Sequence, residues 1–363
     1  MTKLVKLIYV TESFLPPRAE FDQYMDKIWQ ANQLTNNGPL SIELENRISE
    51  YLGLGSNKFR FLANGTLALQ LALRALDITE GEIITTPFTY VATTSAILWE
   101  HCIPVFVDID PETLNIDPKK IEGAITPRTK AIMAVHVFGN PCEADAIKAI
   151  ADKHNLKIIY DAAHAFGVKY KGKSLIDNGD ISTCSFHATK LFHTIEGGGI
   201  YASNSSLIEK VELLKRFGHN GDDHIQLGIN AKANEFNAAM GLVNLNYIDR
   251  IIADRKRAHQ SYDKYLGDKY RKQKIANDTE YNYSYYPIIF ETEDQLQETK
   301  LRLEKSNIFP RRYFFPSLNT LPYLINTQSC PISEKVARRI LCLPMYYKIK
   351  DEDIVEICEI LTK

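Results

Sequence analysis

Long apolar runs are missing from this 363-residue chain. No stretch approaches the roughly 20 apolar residues that a membrane-spanning helix requires. The opening MTKLVKLIYVTESF has too short an apolar run for a secretory signal and lacks a small-residue cleavage site. A cytoplasmic location without a membrane role is therefore expected. Paired cysteines are missing as well. Cys102, Cys142, Cys184, Cys330, Cys342 and Cys358 include no C-x-x-C, which argues for reduced core thiols over a zinc site or a disulfide framework. An excess of either charge is absent too. A formal net charge of −2 provides neither a basic field for nucleic acid nor an acidic tail. Internal repeats, low-complexity tracts and H-E-x-x-H are not found.

What is present is an ordinary globular composition, 45% hydrophobic and 24% charged. The length allows one large domain or two intimate ones, with a sizeable core. From about residue 60, β-rich runs alternate with helical patterns. EIITT (82–86), PVFVDI (104–109), AIMAVHV (131–137) and KIIYD (157–161) read as strands. TLALQLALRAL (66–76), YVATTSAILWEH (90–101) and EADAIKAIADKHN (143–155) read as helices. Strands apolar on both faces and separated by helices predict a parallel sheet covered on both sides. DISTCSF and GGGIYAS add a closely connected strand pair, and helices are expected around 205–217 and 233–248. Beyond residue 250 the composition shifts to a charged helix, RIIADRKRAHQSYDKYLGDKYRKQK, and then to a tyrosine-rich strand, YNYSYYPIIF.

Three groups fall where an open α/β sheet collects its chemistry, at strand carboxyl ends. Asp161 ends KIIYD and opens the small-residue run DAAHAFG. Asn64-Gly65-Thr66 starts a helix, whose free N–H groups favour an anion such as phosphate. Lys190 follows Ser185 in SFHATKLFHTIEGGG, a lysine set between two histidines and ahead of three glycines. Singly, each has a plainer reading: a solvated lysine, a helix-capping aspartate, an ordinary helix start, a core tyrosine at Tyr90. Together they suit pyridoxal phosphate, which needs a lysine, a carboxylate for its pyridinium nitrogen and donors for its phosphate.

The series TNNGPL, ANGTLALQLAL, TPFTYVATTSAI, PVFVDIDPETLNID, VHVFGNPC, DAAHAFG, SFHATK…EGGG, LGINAKANEFNAAMGL and RRYFFPSL resembles the DegT/StrS family of sugar aminotransferases over nearly the whole chain. The resemblance implies the α/β fold of pyridoxal-phosphate-dependent transferases, fold type I. A three-layer α/β/α large domain with a mixed, mostly parallel sheet would take residues 1–250, with the N-terminal segment. A smaller C-terminal α+β domain would take 251–363. Lys190 would carry pyridoxal 5'-phosphate as a Schiff base, and Asp161 would hold its pyridine nitrogen. Gly65, Thr66 and Ser185 would hold the phosphate, and Tyr90 would stack on the ring. His164 stands where many relatives have glutamine. Asn230 matches a residue that relatives present to the neighbouring subunit's phosphate, which implies a homodimer with shared active sites. Lys232 stands where the family commonly has arginine.

The implied reaction is ping-pong transfer of an amino group from L-glutamate to a keto-sugar nucleotide. With His187 in place of the tyrosine of many relatives, SFHATK resembles the branch that aminates position 4 of dTDP-4-keto-6-deoxyglucose. The product would be dTDP-4-amino-4,6-dideoxyglucose, destined for surface polysaccharide such as O-antigen. His187, Arg311, Arg312 and Tyr313 are candidate substrate contacts, the arginines as planar donors to the diphosphate. A histidine packed under the lysine loop and solvated arginines are the alternatives. The galacto epimer, and amination at position 3 of a 3-keto isomer, stay open as products. A non-catalytic sugar-nucleotide-binding regulator is the reading from another class, and the presence of Lys190 speaks against it. A dehydrating branch of the family has histidine at that position. His187, His193 and Glu196 match no metal-binding spacing, and no metal is expected.

Overall fold

The computed structural model describes residues 6–325 and 327–363. Seven strands form the central sheet in the order Phe59–Leu62, Gly198–Ala202, Ile181–Ser185, Lys157–Asp161, Thr129–Val135, Glu82–Thr85, Ile103–Phe106. Gly198–Ala202 runs antiparallel to both neighbours. The other pairings are parallel. Alternation along the strands sends apolar side chains to both faces, as the β pleat dictates. Ile83, Ala131, Met133, Ile159, Ile181 and Ile200 pack on one side, with helix Gly65–Ala75. Ile84, Ile132, Ala134, Ile158 and Tyr160 pack on the other, with helix Ala144–His154. A further apolar cluster joins helices Pro39–Tyr51 and Glu235–Leu245 to Phe59, Phe61 and Phe186. This is the mixed, mostly parallel α/β arrangement that the sequence predicts. The six cysteines are free and buried.

The C-terminal elements have their own core, built on Tyr262, Tyr286, Ile288, Leu341 and Ile357. A three-stranded antiparallel sheet there comprises Arg271–Lys272, Tyr286–Ile289 and Ile340–Leu343. The chain's first strand, Ile8–Tyr9, pairs in parallel with Ile308–Phe309, so the N-terminus lies with these elements. The division at residues 250/251 falls inside helix Ile248–Leu266.

Two expectations are corrected locally. The charged helix stops at Leu266, where Gly267 takes a positive φ of 51°, instead of running on to residue 274. The tyrosine-rich strand is confined to Tyr286–Ile289. Its first half is irregular because Asn282 and Ser284 turn their side chains to the carbonyl of His164, at 2.8 and 3.2 Å.

Candidate active site

Parallel strands place their carboxyl ends along one edge of the sheet, and a cavity of about 690 Å³ opens there. Gly65, Thr66, Tyr90, Asp161, His164, Ser185, His187, Lys190, Arg311 and Tyr313 all line it. Ten residues singled out in the sequence thus converge on one space. Two others do not. Asn230 is exposed and lies outside this cavity. Arg312, expected at the substrate, is already engaged: it donates to Glu293 at 2.7 Å and to the Arg338 carbonyl at 2.9 Å. Its guanidinium also lies 3.6 Å from the centre of the Phe315 ring. Arg311 takes the cavity position alone, and neither it nor Lys190 is in an ion pair among the described residues.

Helix Gly65–Ala75 starts at the cavity wall. Asn64 caps it, accepting from the Leu67 N–H at 2.9 Å. The N–H groups of Gly65 and Thr66 are the first two of the helix and have no intrahelical acceptor. With the Ser185 hydroxyl beside them they form an anion cradle.

The three glycines after the lysine loop are there for space. A Cβ on Gly198 would come within 2.4 Å of the Asn64 carbonyl and 2.7 Å of the Gly65 nitrogen. On Gly197 it would meet Thr194 at 1.9 Å, and on Gly199 the Phe59 ring at 2.1 Å. Gly198→Ala therefore pushes directly on the cradle backbone. Overpacking of this kind costs roughly 1–3 kcal/mol, and we expect cofactor affinity to fall about tenfold or more. Fluorescence titration of the variant checks this; an unchanged dissociation constant would count against the cradle.

Asp161 is buried at the end of its strand. Its carboxylate accepts from the Thr93 hydroxyl at 2.8 Å and the Ala163 N–H at 3.0 Å. Burial pushes its pKa up, while these two donors and the Lys190 cation oppose the rise. Such a desolvated carboxylate is well matched to a cationic ring nitrogen. Burial likewise lowers the Lys190 amine to about 8, with Asp161 and Tyr90 opposing. Lys190 is only partly buried as a residue, so the desolvation concerns its amine end.

His164 is held from three sides. Its Nδ1 accepts from the Phe138 N–H at 3.2 Å, which leaves the ring proton on Nε2. Phe314 stacks on the ring at 5.8 Å, and Tyr285 meets it edge-on at 4.9 Å. Burial and Lys190 hold its pKa well below the usual range, so it stays neutral. His187 sits at the rim, accepting at Nδ1 from the Thr189 N–H at 3.2 Å, with Nε2 3.5 Å from Glu196. His193 turns elsewhere, toward the Phe14 carbonyl.

Sequence reading missed Thr93, Tyr285 and Asn282. Thr93 lies 68 residues from Asp161 in a helix with two adjacent threonines, and nothing local marks which one faces the carboxylate.

A lysine with a lowered pKa, a buried carboxylate and an anion cradle at the carboxyl edge of such a sheet fit a pyridoxal-phosphate-dependent enzyme of fold type I. The chain belongs to the DegT/DnrJ/EryC1/StrS aminotransferase family, whose sequence profile matches residues 17–362. It is 44% identical over 364 residues to a dTDP-4-amino-4,6-dideoxy-D-glucose transaminase of Shigella dysenteriae, covering 97% of each chain. A protein of the same name from Escherichia coli is 41% identical, covering 98% of each. Among solved structures, DesI crystallised in the presence of its TDP-sugar product superposes with a TM-score of 0.93 at 31% identity. That match covers 99% of this chain and 93% of DesI.

Proposed function

We propose that this aminotransferase moves the amino group of L-glutamate to position 4 of dTDP-4-dehydro-6-deoxy-D-glucose. The observation that carries this reading is the near full-length similarity to two dTDP-4-amino-4,6-dideoxy-D-glucose transaminases. The ketone becomes an amine-bearing carbon as glutamate is oxidised to 2-oxoglutarate, so the reaction balances without an outside oxidant.

In this reading the residues divide the work. Lys190 carries the cofactor and, once displaced by the donor's amine, moves a proton at the donor's α-carbon; an amine near pKa 8 is suited to accept it. Asp161 keeps the ring nitrogen protonated, and Gly65, Thr66 and Ser185 hold the phosphate. Tyr90, half exposed at the cavity wall, covers the ring, and His164 donates through Nε2. Pyridoxal phosphate, when bound, supplies the electron sink that lets the α-carbon lose its proton. His187, Arg311 and Tyr313 meet the sugar nucleotide, with Arg311 as the cation for its diphosphate. The active unit is a homodimer in which Asn230 reaches the neighbouring subunit's phosphate; its exposure outside its own chain's cavity is in keeping with that role. The division into a large domain, 1–250, and a small one, 251–363, belongs to the same reading. So do a cytoplasmic setting and a product used in surface polysaccharide. Among the described residues no helix is long and apolar enough to cross a membrane.

The test is to incubate the purified protein with glutamate and a panel of keto-sugar nucleotides, then identify products by mass and NMR. A large axial–axial proton coupling at position 4 supports the gluco product. A small coupling indicates the galacto epimer, and nitrogen at position 3 rejects the reading.

A further inference from the structure

The loop from Phe186 to Gly197, which carries Lys190, is closed at its base by backbone hydrogen bonds. Phe186 N–H donates to the Gly197 carbonyl at 2.8 Å, and Thr194 N–H to the Phe186 carbonyl at 2.9 Å. Within the loop, Lys190 N–H closes a turn onto the His187 carbonyl at 2.8 Å. The outer part of the loop is held from outside, by a segment distant in sequence. The Ser13 hydroxyl donates to the Ala188 carbonyl at 2.7 Å, inside the lysine turn itself. Three residues beyond Lys190, His193 Nε2 donates to the Phe14 carbonyl at 2.7 Å. Its Nδ1 accepts from the Ile195 N–H at 3.2 Å, so both ring nitrogens are used and the tautomer is fixed.

The same segment is fastened at its other end to the C-terminal elements. Ile8 pairs with Ile308, and the Val10 carbonyl accepts from the Met345 N–H at 2.9 Å. The Phe14 ring lies 5.2 Å from that of Tyr247 and 5.3 Å from that of Tyr347. Those C-terminal elements also deliver Arg311 and Tyr313 to the cavity.

We propose that residues 8–14 form a strap linking the C-terminal elements to the lysine turn, with Ser13 and His193 as positioning residues that set where the Lys190 amine points. The proposal rests on the reading of Lys190 as the cofactor lysine. Its physical content is simple. A turn whose central carbonyl is tied down samples fewer backbone states, and the amine at its end keeps one direction. Because the strap and the substrate-facing arginine share an anchor, displacement of one is felt by the other.

The experiment uses the full-length protein loaded with pyridoxal phosphate. The pH dependence of its visible absorbance is recorded for the parent, Ser13→Ala, Ser13→Thr and His193→Leu. Ser13 is exposed, so its alanine variant folds without a core defect. Ser13→Ala and His193→Leu should move the absorbance transition by about half a pH unit or more, a change in the lysine's surroundings that lost stability alone does not produce. Ser13→Thr, which keeps the hydroxyl, should restore the parent curve. Amide exchange in the cofactor-free protein reports the tether independently: Ala188–Lys190 should exchange faster in Ser13→Ala. Absorbance curves coincident with the parent in both variants overturn the positioning role. Unchanged exchange in Ser13→Ala overturns the tether. A parent protein in which borohydride does not fix the bound cofactor on Lys190 overturns the reading of Lys190 instead, and leaves the exchange experiment to decide the strap.

Discussion

A Lys190→Ala variant is expected to lose turnover completely and to retain no cofactor after borohydride reduction, while keeping its fold. In the proposed function the lysine is the nucleophile of the site, and among the described residues no other lysine lines the cavity. Reduction with borohydride should fix the cofactor on Lys190 in the parent protein, which peptide mapping reads directly. Label on another lysine, or on none, would falsify the assignment. The pH dependence follows from burial, which depresses the amine from 10.5 to about 8. Cofactor uptake requires the neutral amine, so its rate should rise as pH climbs toward 8 and level off above. Stability moves in a related way. A depressed lysine pKa means that the unfolded chain binds the extra proton between about 8 and 10.5, so folding is favoured as pH rises through that window. Below pH 8 the cost of keeping the ammonium in the cavity is fully present. Removing the side chain relieves that cost, and the melting temperature of Lys190→Ala at pH 7 should equal or exceed that of the cofactor-free parent.

That a single substitution can be so informative reflects what the sequence makes legible. Parallel strands in α/β chains are apolar on both faces, so EIITT, AIMAVHV and KIIYD announce themselves, and their carboxyl ends can be located to within a residue or two. Asp161, Ser185 and the Asn64-Gly65-Thr66 helix start sit at those ends and were found for that reason. Lys190 needed the order of the surrounding motifs as well, since a lone lysine after a strand carries no signal. The glycine run could be noticed but not explained. Its reason is the approach of the Asn64 backbone and the Phe59 ring, more than 130 residues earlier in the chain, which no local pattern encodes.

The residues that escaped are those whose role depends on tertiary placement alone. Thr93 reaches Asp161 because a helix after one strand is laid beside the end of another. Ser13 reaches the lysine turn across 175 positions. Arg312 shows the opposite error: adjacent to Arg311 in sequence, it points the other way and is consumed by Glu293 and Phe315. Neighbouring side chains on extended backbone face opposite sides, so a pair of arginines there rarely serves one ligand.

Asp161→Asn separates charge from shape at the same site. The two side chains have the same outline, and the hydrogen bonds can be kept. The Ala163 N–H needs an acceptor, which the amide oxygen supplies. The amide nitrogen then faces Thr93, whose hydroxyl can turn to Thr89, 3.1 Å away, and accept in its place. The cofactor-free protein should lose no stability, because burial already raises the carboxyl's pKa and makes its ionised form costly. A raised folded-state pKa means that this cost grows as pH climbs past the unfolded value, until the folded carboxyl has ionised. In the proposed function, what the variant lacks is the negative charge opposite the ring nitrogen, in a site too dry for water to replace it. Without that charge the nitrogen loses its proton, and negative charge developing at the donor's α-carbon is less well spread. The half-reaction with glutamate should slow by about 10² or more, the lower scale for removing one preorganised electrostatic partner. Stopped-flow absorbance of the loaded variant under single-turnover conditions measures this directly, with cofactor content checked beforehand. A rate within about threefold of the parent, at full cofactor loading, would remove Asp161 from the role its burial and its two donors suggest.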